Sequence, residues 1–273
     1  MVHTVNSVLQ RIPIWFTPRC IRPMVMIFSQ SEFDIRCEWG ENGVAHLASV
    51  SDAVVIVDVL SFSTCVEIAA RRGAVVFPYR GQGDGAEAFA ASVGAELAGS
   101  RRSLSSYSLS PASLVDIPKG ARLVLPSPNG ATLTLGTGGV PTLAGCLRNY
   151  RAVASAAQKS GRRLAIIPAG ERWPDGSLRP ALEDWIGAGA IVSQLHGELS
   201  PEARAARAAF HQAQTAVESS IRQCGSGKEL IARGFEEDVR LASALNVSEC
   251  APLLADGAYR WLGLSKAQTG ERL

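Results

Sequence analysis

The chain has 273 residues, 47% hydrophobic and 19% charged, ordinary for a folded soluble protein and long enough for one large domain or two smaller lobes. Its formal charge of +2 owes everything to Arg11, Arg19 and Arg22, which precede the first acid; 24 basic residues then face 25 acidic ones, so no broad basic face for nucleic acid is expected. The longest apolar runs are strand-length and interrupted by Pro, Gly or charge, so no membrane span is expected.

Residues 1–25 carry Pro13, Pro18 and Pro23 and an apolar stretch, Ile12 to Phe16, shorter than a signal-peptide core. They read as an N-terminal extension, disordered or created by an upstream start, with Met24 or Met26 the true initiator. Six scattered cysteines (Cys20, Cys37, Cys65, Cys146, Cys224, Cys250) form no CxxC and have no paired His. Reduced thiols in a cytoplasmic protein are expected.

From Met26 onward strands and helices alternate. Phe33 to Trp39 places apolar residues at every second position, the pattern of a strand with one buried face. Val54 to Val57 is a continuous β-branched run, expected of a central parallel strand covered on both faces. Asp58 arrives where that run stops. Ser61, Ser63 and Thr64 follow as N-cap candidates for a helix through Ala70. Strands are expected at Ala74–Tyr79, Leu123–Leu125 and Leu164–Ile167, and helices from Ala86 and over Asn149–Lys159, Leu182–Leu195 and Pro201–Arg222, with shorter helices either side of Gly234. The fold class is α/β: a mainly parallel sheet with helices on both faces, plus a smaller helix-rich second lobe. A first α/β lobe over 26–160 and a second over 161–273 are expected.

Three strand ends deliver polar groups in the same sense: Asp58, then Ser127-Pro128-Asn129-Gly130, then Gly170-Glu171. If those strands are neighbours, the groups meet along one sheet edge, where open α/β folds bind ligands and helix N-termini accept anions. A carboxylate beside an anion site calls for a cation between them, which points to metal-assisted phosphate chemistry. Glu183 and Asp184 open one helix and Glu236, Glu237 and Asp238 another, positions that also suit the helix dipole. Gly187 and Gly189, inside the first of these helices, imply close approach to another backbone. Cys65 and Arg71 have the spacing of a cysteine phosphatase, but a helical VEIAA fills the gap where a glycine cradle is needed. Cys224 to Glu229 (CGSGKE) approaches a phosphate-binding loop, but Arg222 stands at its first glycine and Glu229 where Ser or Thr would bind magnesium.

AVVIVDVLSFST, LVLPSPNGAT and IIPAGERWPDGSLRPALEDWIGAGAIV, in this order, resemble the 2-phosphosulfolactate phosphatase family. FDIRCEWGENG before them and GKELIARGFEEDVRLASALNVSECAP after them extend the likeness over roughly Ile27 to Gly263. The resemblance implies an α/β fold and a Mg²⁺-dependent phosphatase, whose founding activity serves coenzyme M biosynthesis. The substrate expected is a small phosphorylated acid, 2-phosphosulfolactate or a close analogue, with a homodimer left open as the assembly. The alternative is a non-catalytic protein that holds such a metabolite on the same scaffold. Asp58, Asn129 and Glu171 are the expected catalytic residues. Asp58, Glu183, Asp184 and Asp238 are the expected metal ligands. Ser61, Ser63, Thr64, Ser127, Asn129, Gly130 and Arg36 are expected to bind substrate phosphate. The family motif commonly runs Asp-Val-x-Arg-Ala-Thr, and its Arg would stand where Ser61 stands here. Arg36, Arg80 and Arg172 are the candidates to supply that charge.

Overall fold

The computed structural model describes residues 27–81, 85–99, 107–261 and 263. The expected extension over 1–25 lies outside them, as does Cys20. In chain order the strands are β1 (Ile35–Cys37), β2 (Ala53–Val57), β3 (Val75–Arg80), β4 (Glu96–Leu97), β5 (Arg122–Ser127), β6 (Thr142–Gly145), β7 (Leu164–Pro168), β8 (Glu171–Arg172), β9 (Leu178–Arg179), β10 (Leu253–Ala255) and β11 (Ala258–Arg260). Nine of them form one sheet, ordered β1-β7-β2-β6-β10-β11-β3-β5-β4, while β8 and β9 pair as a separate hairpin. β2 lies between β7 and β6, parallel to both, and all five of its residues are buried. A strand covered on both faces has no polar side to alternate with, which is why it reads as an unbroken β-branched run.

The expected division at residue 160 runs through this sheet. β7 comes from the second half of the chain yet separates β1 from β2, and the antiparallel β10–β11 hairpin sits between β6 and β3. That hairpin bridges two parallel blocks through single pairings, Leu253 with Leu143 and Tyr259 with Val76. Its turn, Asp256-Gly257, has positive φ at both residues, the two-residue geometry that suits the twist of antiparallel strands. The strand expected to have one buried face also differs. Arg36 is buried alongside Ile35 and Cys37, because β1 is flanked by β7 and bridged to Leu199.

The helices are α1 (Gly40–Leu47), α2 (Phe62–Arg71), α3 (Gly85–Ser92), α4 (Gly130–Gly136), α5 (Tyr150–Ser160), α6 (Leu182–Val192), α7 (Pro201–Ala213), α8 (Val217–Gln223), α9 (Gly225–Ala232) and α10 (Glu236–Ser243). The single helix expected over 201–222 is two, broken at 214–216, which returns Val217 and Ile221 to the core shared with Ile186 and Ile191. α6 carries the two glycines read as contact points. A Cβ on Gly189 would lie 1.9 Å from the Ala206 carbonyl oxygen of α7, and one on Gly187 would lie 2.7 Å from Val59. Both contacts press α6 against its neighbours, which seats the α6 N-terminus against the loop after β2. The five described cysteines are buried thiols. No helix among the described residues is long and apolar enough to cross a membrane.

Candidate active site

Asp58 follows the last residue of β2, and the chain turns there into α2. The turn is held by its own hydroxyls. Ser63 Oγ donates to the Ile56 carbonyl (2.9 Å) and accepts from the Asp58 N–H (3.1 Å), while Thr64 Oγ1 donates to the Val59 carbonyl (2.7 Å). Ser61 occupies the N-cap position of α2 without a side-chain cap bond and is buried. The backbone amides around Ser63-Thr64 are the expected phosphate holders, but the Ser63 N–H donates to the Asp58 carbonyl at 2.8 Å. The hydroxyls of both residues are spent on backbone carbonyls, and what they position is Asp58.

The Asp58 carboxylate is 5% exposed and accepts two backbone bonds, from the Phe62 N–H to Oδ1 (3.0 Å) and from the Gly130 N–H to Oδ2 (2.9 Å). The second partner arrives from β5, whose final residue, Ser127, accepts from the Asn129 N–H through Oγ (3.2 Å) and shapes the loop. Ser127 and Gly130 thus build the carboxylate's mount; the Gly130 amide expected to hold phosphate is given to Asp58. Asn129 turns its side chain the other way, and Nδ2 donates to Glu171 Oε2 at 3.0 Å. One dipeptide thus holds two carboxylates, one by a backbone amide and one by a side-chain amide. A Cβ at Gly130 would lie 2.7 Å from Asp58 Oδ2 and 2.4 Å from Phe62 Cδ1, so only glycine permits this approach.

Burial, then the neighbouring Glu171, pushes the Asp58 carboxyl up to about 7, against the pull of its two amide donors; Glu183 adds to the rise. Burial also raises Glu171, while the bond from Asn129 and the charge of Arg179 oppose that rise. Glu183, at the start of α6, is 2% exposed and accepts the Cys224 thiol at Oε2 (3.2 Å). The same burial, and then the Glu183 charge, lift the Cys224 thiol to about 12. Beside the Asn129–Glu171 bond opens a cavity of about 170 Å³, lined by Trp39, Glu41, Asn42, Leu133 and Arg172 among others.

Three further expected site residues are placed elsewhere or otherwise employed. Asp184 is 3% exposed and accepts the Val59 N–H at 2.7 Å and the Gly170 N–H at 2.8 Å. It braces the loops after β2 and β7 from beneath, with burial and then the Asp58 charge raising its carboxyl well above the usual range. Asp238, on α10, accepts Ser110 Oγ (2.6 Å) and the Ala112 N–H (3.0 Å), tying α10 to the 111–114 turn. Arg36 donates to the Phe33 and Val50 carbonyls, ahead of β1 and β2 and so at the opposite end of the strands from Asp58. Asp58, Asn129, Gly130, Glu171 and Glu183 are the expected residues that do come together. Among the described residues, no three of His, Cys, Asp and Glu form a preformed metal-ligand set.

Two partners of this group were not expected from sequence. Arg179 stands directly across the β8–β9 hairpin from Glu171, and its Nη2 donates to Ser226 Oγ at 3.1 Å. Cys224 caps α9, its Sγ accepting the Gly227 N–H at 3.4 Å. The signal for the hairpin was present as Pro174-Asp175-Gly176, a turn sequence between two short strands.

A family profile described as 2-phosphosulpholactate phosphatase matches residues 42–257. The 2-phosphosulfolactate phosphatase of Methanothermobacter thermautotrophicus is 33% identical over 139 residues, 51% of this chain and 58% of that protein. The probable 2-phosphosulfolactate phosphatase of Thermotoga maritima is 28% identical over 141 residues, 51% of this chain and 60% of that protein. The chain thus covers less than two thirds of either relative's length. Since the Asp58 strand end, the Asn129-Gly130 clamp and the Glu171–Glu183 segment all fall within the matched span, the chain belongs to the 2-phosphosulfolactate phosphatase family.

Proposed function

We propose that the protein is a Mg²⁺-dependent phosphatase that hydrolyses a small acidic phosphomonoester, 2-phosphosulfolactate or a close analogue, in the cytoplasm. The observation that carries this reading is the Asn129-Gly130 clamp, which holds the buried Asp58 carboxylate and the half-buried Glu171 carboxylate at one strand edge. Asp58, buried beside Glu171 and Glu183, which both raise its proton affinity, is part of a donor set that a divalent cation satisfies. Mg²⁺ takes one or two carboxylates and fills its remaining positions with water and substrate phosphate. Asp58 and Glu183 would hold the ion, which when bound neutralises charge on the phosphoryl oxygens.

The chain's own residues supply the rest. Phe62 and Gly130 amides fix the Asp58 carboxylate before substrate arrives, so no reorganisation is needed during reaction. Glu171 is the most accessible of the three carboxylates and borders the cavity, where it delivers a proton to the departing ester oxygen as that P–O bond breaks and water supplies the new P–O bond of the released phosphate. Asn129 fixes Glu171 by donating to Oε2, leaving Oε1 for the substrate. Positioning of this kind accounts for much of the catalysis in phosphoryl transfer.

The test is phosphate release from a panel of small phosphomonoesters, including phosphosulfolactate and phospholactate, with Mg²⁺ and with EDTA. Release in Mg²⁺ that stops in EDTA supports the reading. Tight binding without release assigns the protein to the non-catalytic alternative.

A further inference from the structure

We infer that Arg179 is the residue that binds the second anionic group of the substrate, the acid function that accompanies the phosphate. This rests on the phosphomonoester reading above and adds the element that selects among such esters. The sheet edge has four carboxylates near it, Asp58, Glu171, Glu183 and Asp184. A substrate carrying a carboxylate or sulfonate besides its phosphate needs a cation from another element.

The β8–β9 hairpin offers two arginines, and its pairing separates them. Cross-strand partners in an antiparallel pair share one face, so Glu171 and Arg179 lie on one side and Arg172 and Leu178 on the other. Arg172 is already engaged, with Nη2 on Glu41 and Nη1 on the Gly176 carbonyl. Arg179 faces the side that carries Glu171, and it forms no ion pair within 4.0 Å among the described residues. Its guanidinium is fixed, with the Glu171 charge near it but no direct ion pair to it. Nη2 is tied to the buried Ser226 hydroxyl, Nη1 would meet a Cβ on Gly225 at 3.2 Å, and the Trp173 ring lies 5.7 Å from Cζ. A planar cation held at one nitrogen, half-buried and with donors to spare, is built to take a carboxylate or sulfonate through two parallel bonds. Arg36, buried on backbone carbonyls at the far end of the strands, has no such freedom.

The experiment compares two ligands, 2-phosphosulfolactate and ethyl phosphate, on the wild-type protein, Arg179→Met and Arg179→Lys. Calorimetric affinity is measured in Mg²⁺ alongside phosphate release. Wild type should prefer phosphosulfolactate, and Arg179→Met should lose about 30-fold of that preference, the scale of a charge-assisted pair of bonds. The loss should fall on Kd and KM for the diacid. Arg179→Lys, which keeps the charge and loses the fork, should recover part of the preference; a merely structural arginine would weaken both ligands alike. An unchanged preference in a folded Arg179→Met protein overturns the assignment, as does equal weakening of both ligands. Selective binding without phosphate release keeps Arg179 in this role and removes the phosphatase reading. Failure of the wild type to bind either ligand removes both.

Discussion

Gly130→Ala probes the clamp at its narrowest point. The new methyl group would lie 2.4 Å from Phe62 Cδ1, 2.8 Å from Phe62 Cβ and 2.7 Å from Asp58 Oδ2, all closer than van der Waals contact. Phe62 is fully buried, and its ring packs edge-on against Tyr259 at 6.2 Å. Tyr259 is itself fixed by a 2.9 Å hydrogen bond with Thr134, so the ring has nowhere to retreat. Overpacking at such a site costs about 1–3 kcal/mol. Pushing Gly130 away also lengthens its bond to a charged carboxylate, worth about 1.5–3 kcal/mol. Alanine's advantage in the helix returns at most about 1 kcal/mol. The net expectation is a loss of about 2–5 kcal/mol in urea unfolding, with phosphate release falling as Asp58 leaves its mount. A variant within about 0.5 kcal/mol of wild type, with normal turnover, would refute the clamp.

Asp58→Asn should abolish phosphate release and also change how stability depends on pH in EDTA. The folded-state carboxyl is raised to about 7 from the ordinary 3.8, so its contribution is fully present below the unfolded value and lost as pH rises through 7. Urea unfolding of the variant should therefore show a flatter decline between about pH 4 and 8 than wild type, and parallel curves would count against the assignment. Asp184→Ala strands the buried Val59 and Gly170 amides, at about 1–3 kcal/mol each. A loss under about 1 kcal/mol would show that Asp184 is not the brace described.

What sequence revealed and what it hid have one physical origin. The end of β2 and the placing of Asp58 were legible because a strand buried on both faces has to read as Val-Val-Ile-Val. The three polar strand ends were legible for the same reason. The direction in which a side chain points after a turn is not encoded in spacing. Ser63 and Thr64 have the residue types of an anion cradle, yet their hydroxyls bond the Ile56 and Val59 carbonyls. Arg36 sits where alternation places an outward polar residue, but carbonyls from the 33 and 50 positions enclose it. Asp238 is an acid at a helix start, and its partners Ser110 and Ala112 lie over a hundred positions away. The β10–β11 hairpin did carry a signal, Asp256-Gly257, but three-residue arms are too short to register as strands.

The departure at Ser61 is best understood through the same separation of position from partner. A bound anion requires a cation at a point in space, and any element that reaches that point can supply it. Here four segments converge on Asp58 and Glu171: the loop after β2, the loop after β5, the β8–β9 hairpin and the N-terminus of α6. Ser61 on the first of these leaves the carboxylates and their clamp untouched, since neither bond of the clamp involves residue 61. A motif read in one dimension records only the first segment. The hairpin reaches the same edge from about 120 residues later in the chain, with Arg179 opposite Glu171 in register. On the proposed reading the hairpin supplies the cation for the substrate's acid group, while the carboxylates serve the chemistry at phosphorus.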